Sequence, residues 1–456
     1  MEREIFVVTG YWQGHLQPCI ELCKNFSSRN YHTTLIIPSI LVSAIPPSFT
    51  QYPRTRTTQI TSSGRPMPPS DPLSQQAAKD LEANLASRSE NPDFPAPLCA
   101  IVDFQVGWTK AIFWKFNIPV VSLFTFGACA AAMEWAAWKL DATDIKPGET
   151  RLIPGLPEEM ALTYSDIRRK SSVPSRGGRG GPPKPGDKPP WVPEIEGSIA
   201  LMFNTCDDLD GLFIKYMADQ IGIPAWGVGL LLPEQHWKST SSLVRHCEIT
   251  EQKRQSSCSE EEVIQWLDSK PRGSVLYVAF GSEVGPTREE YRELAGALEE
   301  SPGPFIWVVQ PGSEEYMPHD LDNRVSNRGL IIHAWAPQAL ILNHISTGGF
   351  LSHCGWNSTM EAIVHGVPFL AWPIRGDQYF NAKLVVNYIK VGLRVTDDLS
   401  ETVKKGDIAE GIERLMSDEE MKTRAAILQV KFEQGFPASS VAALNAFSDF
   451  ISRKVT

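Results

Sequence analysis

Short apolar runs alternate with helix-period segments along most of the chain. Residues 4–9 (EIFVVT) form a run of strand length, and an amphipathic helical pattern follows over 16–26, with Pro18 tolerable in its first turn. Residues 33–38 (TTLIIP) form the next run, so the three predict a βαβ unit. Its first strand ends in the loop Gly10-Tyr-Trp-Gln-Gly14-His15. Residues 99–103 (CAIVD), a helical 107–116, a strand over 120–124, an Ala-rich helix over 128–140 and a strand over 199–204 continue the alternation. Ser259 and Thr287, each followed three residues later by Glu (Glu262 and Glu290), predict two helix starts by capping box. Strands over 275–280, 305–309 and 330–333 surround the second of these helices. Further on, helices are expected over 378–388 and 406–416, then a charged helix ending near Glu433 and, after Pro437, an amphipathic helix over 440–451.

The alternation thus runs twice. It predicts an α/β protein with two Rossmann-like, doubly wound parallel sheets, each covered by helices on both faces. Ligands of such sheets lie outside the carboxyl ends of the strands, and with two domains the cleft between them is the expected site. Residues 168–188 (RRKSSVPSRGGRGGPPKPGDK) break the first set. Gly, Pro and Ser dominate there, with seven basic residues against Asp187, a composition that buries no core. It reads as a solvated insertion loop, with a lid over a ligand pocket as the functional alternative. Residues 236–258 are polar and weakly periodic and read as a linker between domains 1–235 and 259–438.

Length and composition agree. At 456 residues the chain exceeds what one core usually organises. A net charge of −10 argues against nucleic-acid partners. The eight cysteines are scattered without a CxxC pair, so reduced thiols and no zinc site are expected. No apolar stretch of signal-peptide length opens the chain, and 127–138 is too short to span a bilayer and contains Glu134. A cytoplasmic protein without stable membrane insertion is expected.

Two places carry candidate chemistry. His15 sits where the first strand gives way to a helix, and Asp103 ends a strand that can lie beside the first. An imidazole whose other nitrogen is held by a carboxylate can take a proton from a hydroxyl; a structural loop histidine is the competing reading. His32, His236, His246 and His319 have no comparable setting and read as surface residues. The second place is a 44-residue stretch from Trp335 to Gln378, dense in small polar residues between apolar runs. Ser358 to Glu361 begins a helix whose exposed N–H groups suit a phosphate, with His353 and Asn357 as further donors. Ser282, in a Gly-flanked loop after another strand, adds to a diphosphate cradle that contains no Lys or Arg. Trp335 can stack on a flat base, and Asp377 with Gln378 can grip sugar hydroxyls. Against this, Ser358 with Glu361 is also the spacing of a capping box, Trp335 and Trp372 could be core, and His344 and His365 read as structural. No GxSxG, no HExxH and no GxGxxG after either first strand occurs, which leaves serine-hydrolase, zinc-protease and dinucleotide-oxidoreductase readings unsupported.

The stretch resembles the signature box of plant family-1 UDP-dependent glycosyltransferases. The likeness runs through Trp335, Pro337, Gln338, His344, Gly348, Phe350, His353 to Ser358, Glu361, Gly366 to Pro368, Pro373, Asp377 and Gln378. Gln13-Gly14-His15 with Pro18, Leu123-Phe-Thr125 and Ile153-Pro-Gly155-Leu-Pro157 extend it over nearly the whole chain. The resemblance implies a GT-B fold with the nucleotide sugar on the C-terminal domain, the acceptor on the N-terminal one, and the final helix, 439–456, returning to the latter. It implies that Trp335 and the Ala336 backbone hold uracil, Gln338 and Glu361 the ribose, and His353, Asn357, Ser358 and Ser282 the diphosphate. Thr125, Trp356, Asp377 and Gln378 would face the sugar, and His15 would be the general base with Asp103 its partner. Inverting transfer from a UDP-sugar co-substrate follows, with no metal or other cofactor. Gln378 resembles the residue of glucose users. Tyr11-Trp12 replaces the small residues usual in the family, and with Phe104, Trp108 and Phe126 it suggests an aromatic-walled pocket for a small phenolic acceptor such as a flavonoid. A monomer is expected. C-glycosyl transfer, another donor sugar, or a non-catalytic nucleotide-sugar binder are the alternatives on the same scaffold.

Overall fold

The computed structural model describes residues 3–62, 64–65, 70–91, 94, 96–168, 184–237, 256–281, 284–318 and 320–455. Ser282, His246, His319 and most of 168–188 and 236–258 lie outside them. By its contacts the chain divides into two compact units. Met1–Ala128, Pro189–Pro233 and Phe436–Thr456 form one; Cys129–Lys188 and Glu234–Gly435 form the other.

The first unit is built on β1 (Arg3–Val8), β2 (His32–Pro38), β3 (Thr55–Ile60), β4 (Ala96–Asp103), β5 (Val120–Phe124), β6 (Leu201–Phe203) and β7 (Ala225–Gly227). They pair in the order β3-β2-β1-β4-β5-β6-β7, all parallel. Alternate side chains leave a strand on opposite faces. Ile5 and Val7 accordingly join one core with Leu35, Ile101 and Leu22. Phe6 and Val8 join another with Ile36, Val102 and Leu81. The first core is covered by α1 (Gln13–Ser27) and by the C-terminal helix Ala438–Val455, whose Phe447 ring packs 5.7 Å from Phe26 and 5.6 Å from Trp226. The second is covered by α2 (Pro72–Ser89), capped by Asp71 and burying only Ala77, Leu81 and Leu85. Sequence pattern misses α2 and β3: one has a thin apolar stripe, and the other is a polar edge strand, TRTTQI, with one buried residue. A further helix of this unit, α3 (Asp207–Ile221), ends at Gly222 in the left-handed conformation.

The second unit contains α4 (Glu260–Asp268), β8 (Val275–Ala279), α5 (Arg288–Glu300), β9 (Phe305–Val309), β10 (Gly329–His333), α6 (Gln338–Asn343), β11 (Thr347–Ser352), α7 (Trp356–Val364), β12 (Phe369–Ala371), α8 (Gln378–Lys383) and β13 (Gly392–Arg394). Both expected capping boxes are formed, at Ser259 and Thr287. The six strands pair in the order β10-β9-β8-β11-β12-β13, again all parallel. The segment 129–188, read from sequence as part of the first domain, clusters with this unit. A buried ion pair is one of the contacts behind the tie. Lys383 Nζ donates to Asp166 Oδ2 at 2.5 Å and to the Ala161 carbonyl at 2.6 Å, and the two side chains are 1% and 3% exposed.

Candidate active site

In the first unit the strand order reverses at β1 and β4, the topological switch point where such sheets bind ligands. Val8 and Val102 are in register, so the residues that follow them emerge side by side. The helix after β1 starts at Gln13, three residues earlier than periodicity indicates. His15 therefore lies in its first turn, with its N–H bonded to the Trp12 carbonyl at 2.9 Å. Its Nδ1 is 2.6 Å from Asp103 Oδ2 and 2.8 Å from Thr125 Oγ1, the latter just past β5. Asp103 is fully buried, and its other oxygen accepts the Gln105 N–H at 2.9 Å. A carboxylate only accepts, so a proton on Nδ1 points at Asp103, and in the neutral ring the lone pair is then on Nε2. Gly10 makes room for this: a Cβ there would lie 3.1 Å from both Asp103 Oδ2 and His15 Nδ1, and 2.7 Å from Gln105 Oε1.

Aromatic rings surround the imidazole. Trp12 and Phe104 each lie 6.0 Å from it between centroids, and Phe126 packs edge-on to Phe104 at 5.5 Å. Trp108 is placed differently. Its indole N–H reaches the Tyr11 hydroxyl at 3.4 Å, and the two line a small hollow with Ile60, Leu73, Ala77 and Val106, a set that does not include His15.

In the second unit the order reverses at β8 and β11. Immediately after β11 come His353, Cys354 with φ of 59°, Gly355, and then α7. The helix begins at Trp356 with Gly355 as its cap and no side-chain capping bond. The capping-box reading of Ser358 and Glu361 is thereby overturned: Ser358 is the third helical residue, and both side chains face Gln338. Gln338 Nε2 donates to Ser358 Oγ at 3.0 Å and to Glu361 Oε2 at 2.7 Å, while its Oε1 accepts the Tyr277 hydroxyl at 3.1 Å. Gln338 opens α6, two residues after the buried Ala336 and three after the half-buried Trp335. Burial pushes the Glu361 carboxyl up to about 7, which the Gln338 bond partly offsets.

The first-turn N–H groups of α7 belong to Trp356, Asn357 and Ser358; the i→i−4 ladder starts with Thr359 on the Gly355 carbonyl at 2.9 Å. Beside them His353 is 7% exposed, and burial lowers it to about 4, so its ring is neutral. Its Nδ1 is buried and has no partner among the described residues. Gly281 and Gly355 flank this ring, since a Cβ on either would fall within 2.7 Å of Nε2. A neutral imidazole, the first-turn amides of α7 and two close glycines thus lie together, the kind of backbone setting in which helix N-termini accept anions. Trp372 is core, 2% exposed and edge-on to Phe280. Trp356 is also buried, at 4%. Asp377 and Gln378 stand at the start of α8, and Gln378 Oε1 accepts the N–H groups of Ile374 and Arg375 at 3.0 and 2.9 Å. Its amide nitrogen is thus the face it can offer to a ligand.

His236, read as a surface residue, is 5% exposed. Its Nδ1 is 3.2 Å from His365 Nε2 and its Nε2 3.8 Å from Glu361 Oε1. Burial lowers the two imidazoles to about 4 and about 3, the second also because the first adjoins it. Tyr277 and Asn381 are the other supporting residues that sequence reasoning passes over. Asn381 carried a signal: it follows Asp377 by four residues at the start of a helix. Among the described residues no group of three or more His, Cys, Asp or Glu is placed to hold a metal ion, and no helix is long and apolar enough to cross a membrane.

Comparison with known proteins bears on this arrangement. Residues 245–432 match the family described as UDP-glucoronosyl and UDP-glucosyl transferase. Scopoletin glucosyltransferase of Nicotiana tabacum is 33% identical over 344 residues, covering 71% of this chain and 67% of that protein. UDP-glycosyltransferase 73E1 of Stevia rebaudiana is 31% identical over 373 residues, covering 76% and 70%. Among solved structures, a UDP-glucosyltransferase from Polygonum tinctorium capable of glucosylating indoxyl, in complex with 3,4-dichloroaniline, has a TM-score of 0.76 at 25% identity over 99% of each chain. TcCGT1 in complex with UDP has a TM-score of 0.77 at 25% identity over 99% of this chain and 100% of that one. The two parallel sheets are those of the GT-B fold, and the chain belongs to the plant family-1 UDP-dependent glycosyltransferases, transferase enzymes whose co-substrate is a UDP-sugar.

Proposed function

We propose that the enzyme is an inverting, UDP-glucose-dependent β-O-glucosyltransferase of small phenolic acceptors, with His15 as general base and Asp103 as its partner. The observation that carries this reading is the 2.6 Å contact of His15 Nδ1 with a fully buried carboxylate at a strand switch point. Nε2 takes the proton of the acceptor hydroxyl. The acceptor oxygen forms its bond to the anomeric carbon from the face opposite the nucleotide. The bond from that carbon to the diphosphate oxygen breaks, and UDP leaves with the electron pair. An α-linked donor then gives a β-linked product.

The second unit supplies the donor half. Trp335 stacks on uracil with the Ala336 backbone at its edge, and Gln338 and Glu361 hold the ribose. His353, Asn357, Ser358 and the first amides of α7 take the diphosphate, where they stabilise charge building on the leaving group. Ser282 has the same role by resemblance. Trp356, Asp377 and Gln378 address the sugar, and the resemblance gives Thr125 of the first unit the same role. Glucose as the donor sugar is supported by Gln378 and by relatives named for glucosyl transfer. A flat aromatic acceptor is supported by Trp12, Phe104 and Phe126 around His15; Trp108, set apart beside Tyr11, does not contribute to this support. The reading includes a monomeric, cytoplasmic enzyme, and a dimer in sedimentation would refute the first part.

The test is UDP release from UDP-glucose across phenols, flavonoids, terpenoid alcohols and hormones, with the anomeric configuration of the product read by NMR. His15→Ala should abolish O-transfer and leave UDP binding intact. Preference for a non-aromatic alcohol, or an α-linked product, would refute the proposal.

A further inference from the structure

Asn381 is fully buried in α8, one turn beyond Asp377. Its Nδ2 donates to Asp377 Oδ2 at 2.8 Å and to the Cys354 carbonyl at 3.0 Å. Both partners only accept, so the group between them must be the NH₂ and the amide orientation is settled by chemistry. Cys354 is no ordinary partner. It adopts the left-handed conformation in the turn that leads from β11 into α7, next to His353 and directly before Gly355. One amide therefore holds the backbone turn at the head of the helix and the carboxylate at the start of the next one. The neighbouring Gln378 is held separately, its Oε1 accepting the Ile374 and Arg375 amides.

We infer that Asn381 is a positioning residue that sets donor-sugar recognition, by fixing the Asp377 carboxylate relative to the turn that opens α7. It touches neither sugar nor nucleotide and acts through Asp377. The inference rests on the reading of Asp377 as a sugar-binding residue. Two features separate it from packing. An apolar side chain of the same size would fill the volume but leave Asp377 Oδ2 and the Cys354 carbonyl without their donor. An Asp here would fill it too, but would set a second carboxylate 2.8 Å from the first.

The experiment measures Kd for UDP and for UDP-glucose on the full chain by calorimetry, for wild type, Asp377→Ala, Asn381→Leu, Asn381→Asp and the double variant Asp377→Ala/Asn381→Leu. The quantity read is the ratio of the two affinities, which isolates the sugar contribution from nucleotide binding and from a general loss of folded protein. Asp377→Ala should shift the ratio against UDP-glucose by about tenfold, the scale of one hydrogen bond to a charged group. Asn381→Leu should shift it comparably, and the double variant no further than the larger single one, because both remove one interaction. Asn381→Asp, which keeps the shape, decides the matter if the Leu variant does not fold. An unchanged ratio in the folded Asn381 variants beside a shifted one in Asp377→Ala would overturn the inference. An unchanged ratio in Asp377→Ala itself would instead overturn the reading of Asp377 on which it depends.

Discussion

Replacing Asp103 by Asn tests the catalytic proposal at one atom. Asp103 Oδ1 accepts the Gln105 N–H at 2.9 Å, and only an oxygen can keep that bond. The new amide must therefore place its NH₂ where Oδ2 was, 2.6 Å from His15 Nδ1. Two donors cannot face each other there, so Nδ1 gives up its proton and becomes the acceptor. Thr125, with Oγ1 at 2.8 Å from the same nitrogen, can turn its hydroxyl proton the same way. The remaining proton then sits on Nε2, which can no longer take one from the acceptor. The substitution keeps shape, packing and the Gln105 bond, so the cost falls on chemistry. General-base assistance contributes roughly 10²–10⁴ in rate, so kcat should fall by that factor, about 3–5 kcal/mol in barrier. The assay is steady-state UDP release with a phenol that is protonated at the assay pH, alongside UDP affinity and Tm, both expected within error of wild type. A second acceptor, already ionised at that pH, needs no base and should lose far less. A kcat within a few-fold of wild type on the protonated phenol, in a folded variant, would refute the tautomer argument and with it the assignment of His15.

Gly10→Ala pushes a methyl toward Asp103 Oδ2, His15 Nδ1 and Gln105 Oε1; kcat should fall by about tenfold through misplacement of the base, with UDP affinity unchanged. Glu361→Gln should change stability with a definite sign. The folded-state carboxyl is raised from 4.5 to about 7, so the native protein holds the proton more tightly than the unfolded chain, and stability is lost as pH rises through that window. The unliganded variant should thus gain on wild type by on the order of 2 kcal/mol between pH 5 and pH 8 in denaturant titrations, while binding UDP more weakly; a pH-independent difference would contradict this. Lys383→Met removes the nearer cation of the buried Asp166, leaving Arg394 at 3.7 Å and the Thr163 donors, and should cost up to about 3 kcal/mol, most of it recovered in Lys383→Met/Asp166→Asn. Equal loss in the single and double variants, read by chemical denaturation, would show that the uncompensated Asp166 charge is not the source of the cost.

Local pattern goes far in this chain because local physics repeats. The apolar runs at 4–9, 33–38 and 99–103 are strands because parallel sheets bury both faces, and the Ser259 and Thr287 boxes start helices because their orphan amides need acceptors. The same locality misleads at Ser358 and Glu361. Their spacing is that of a capping box, yet Gly355 ends the preceding strand turn and Gln338 takes both side chains. It also misleads at His236, whose sequence neighbours are polar while its spatial neighbours are His365 and Glu361.

The sequence by itself determined two doubly wound units and the box from Trp335 to Gln378, because periodicity, capping and close spacing are properties of neighbouring residues. The tertiary structure decided which of those residues work as one. His15 meets Asp103 and Thr125 across 88 and 110 positions of chain only because β1, β4 and β5 lie side by side, and Gln338 meets Tyr277 across 61 only through the order of the second sheet. Strand order is settled by the packing of every helix at once, and no short window of sequence carries it.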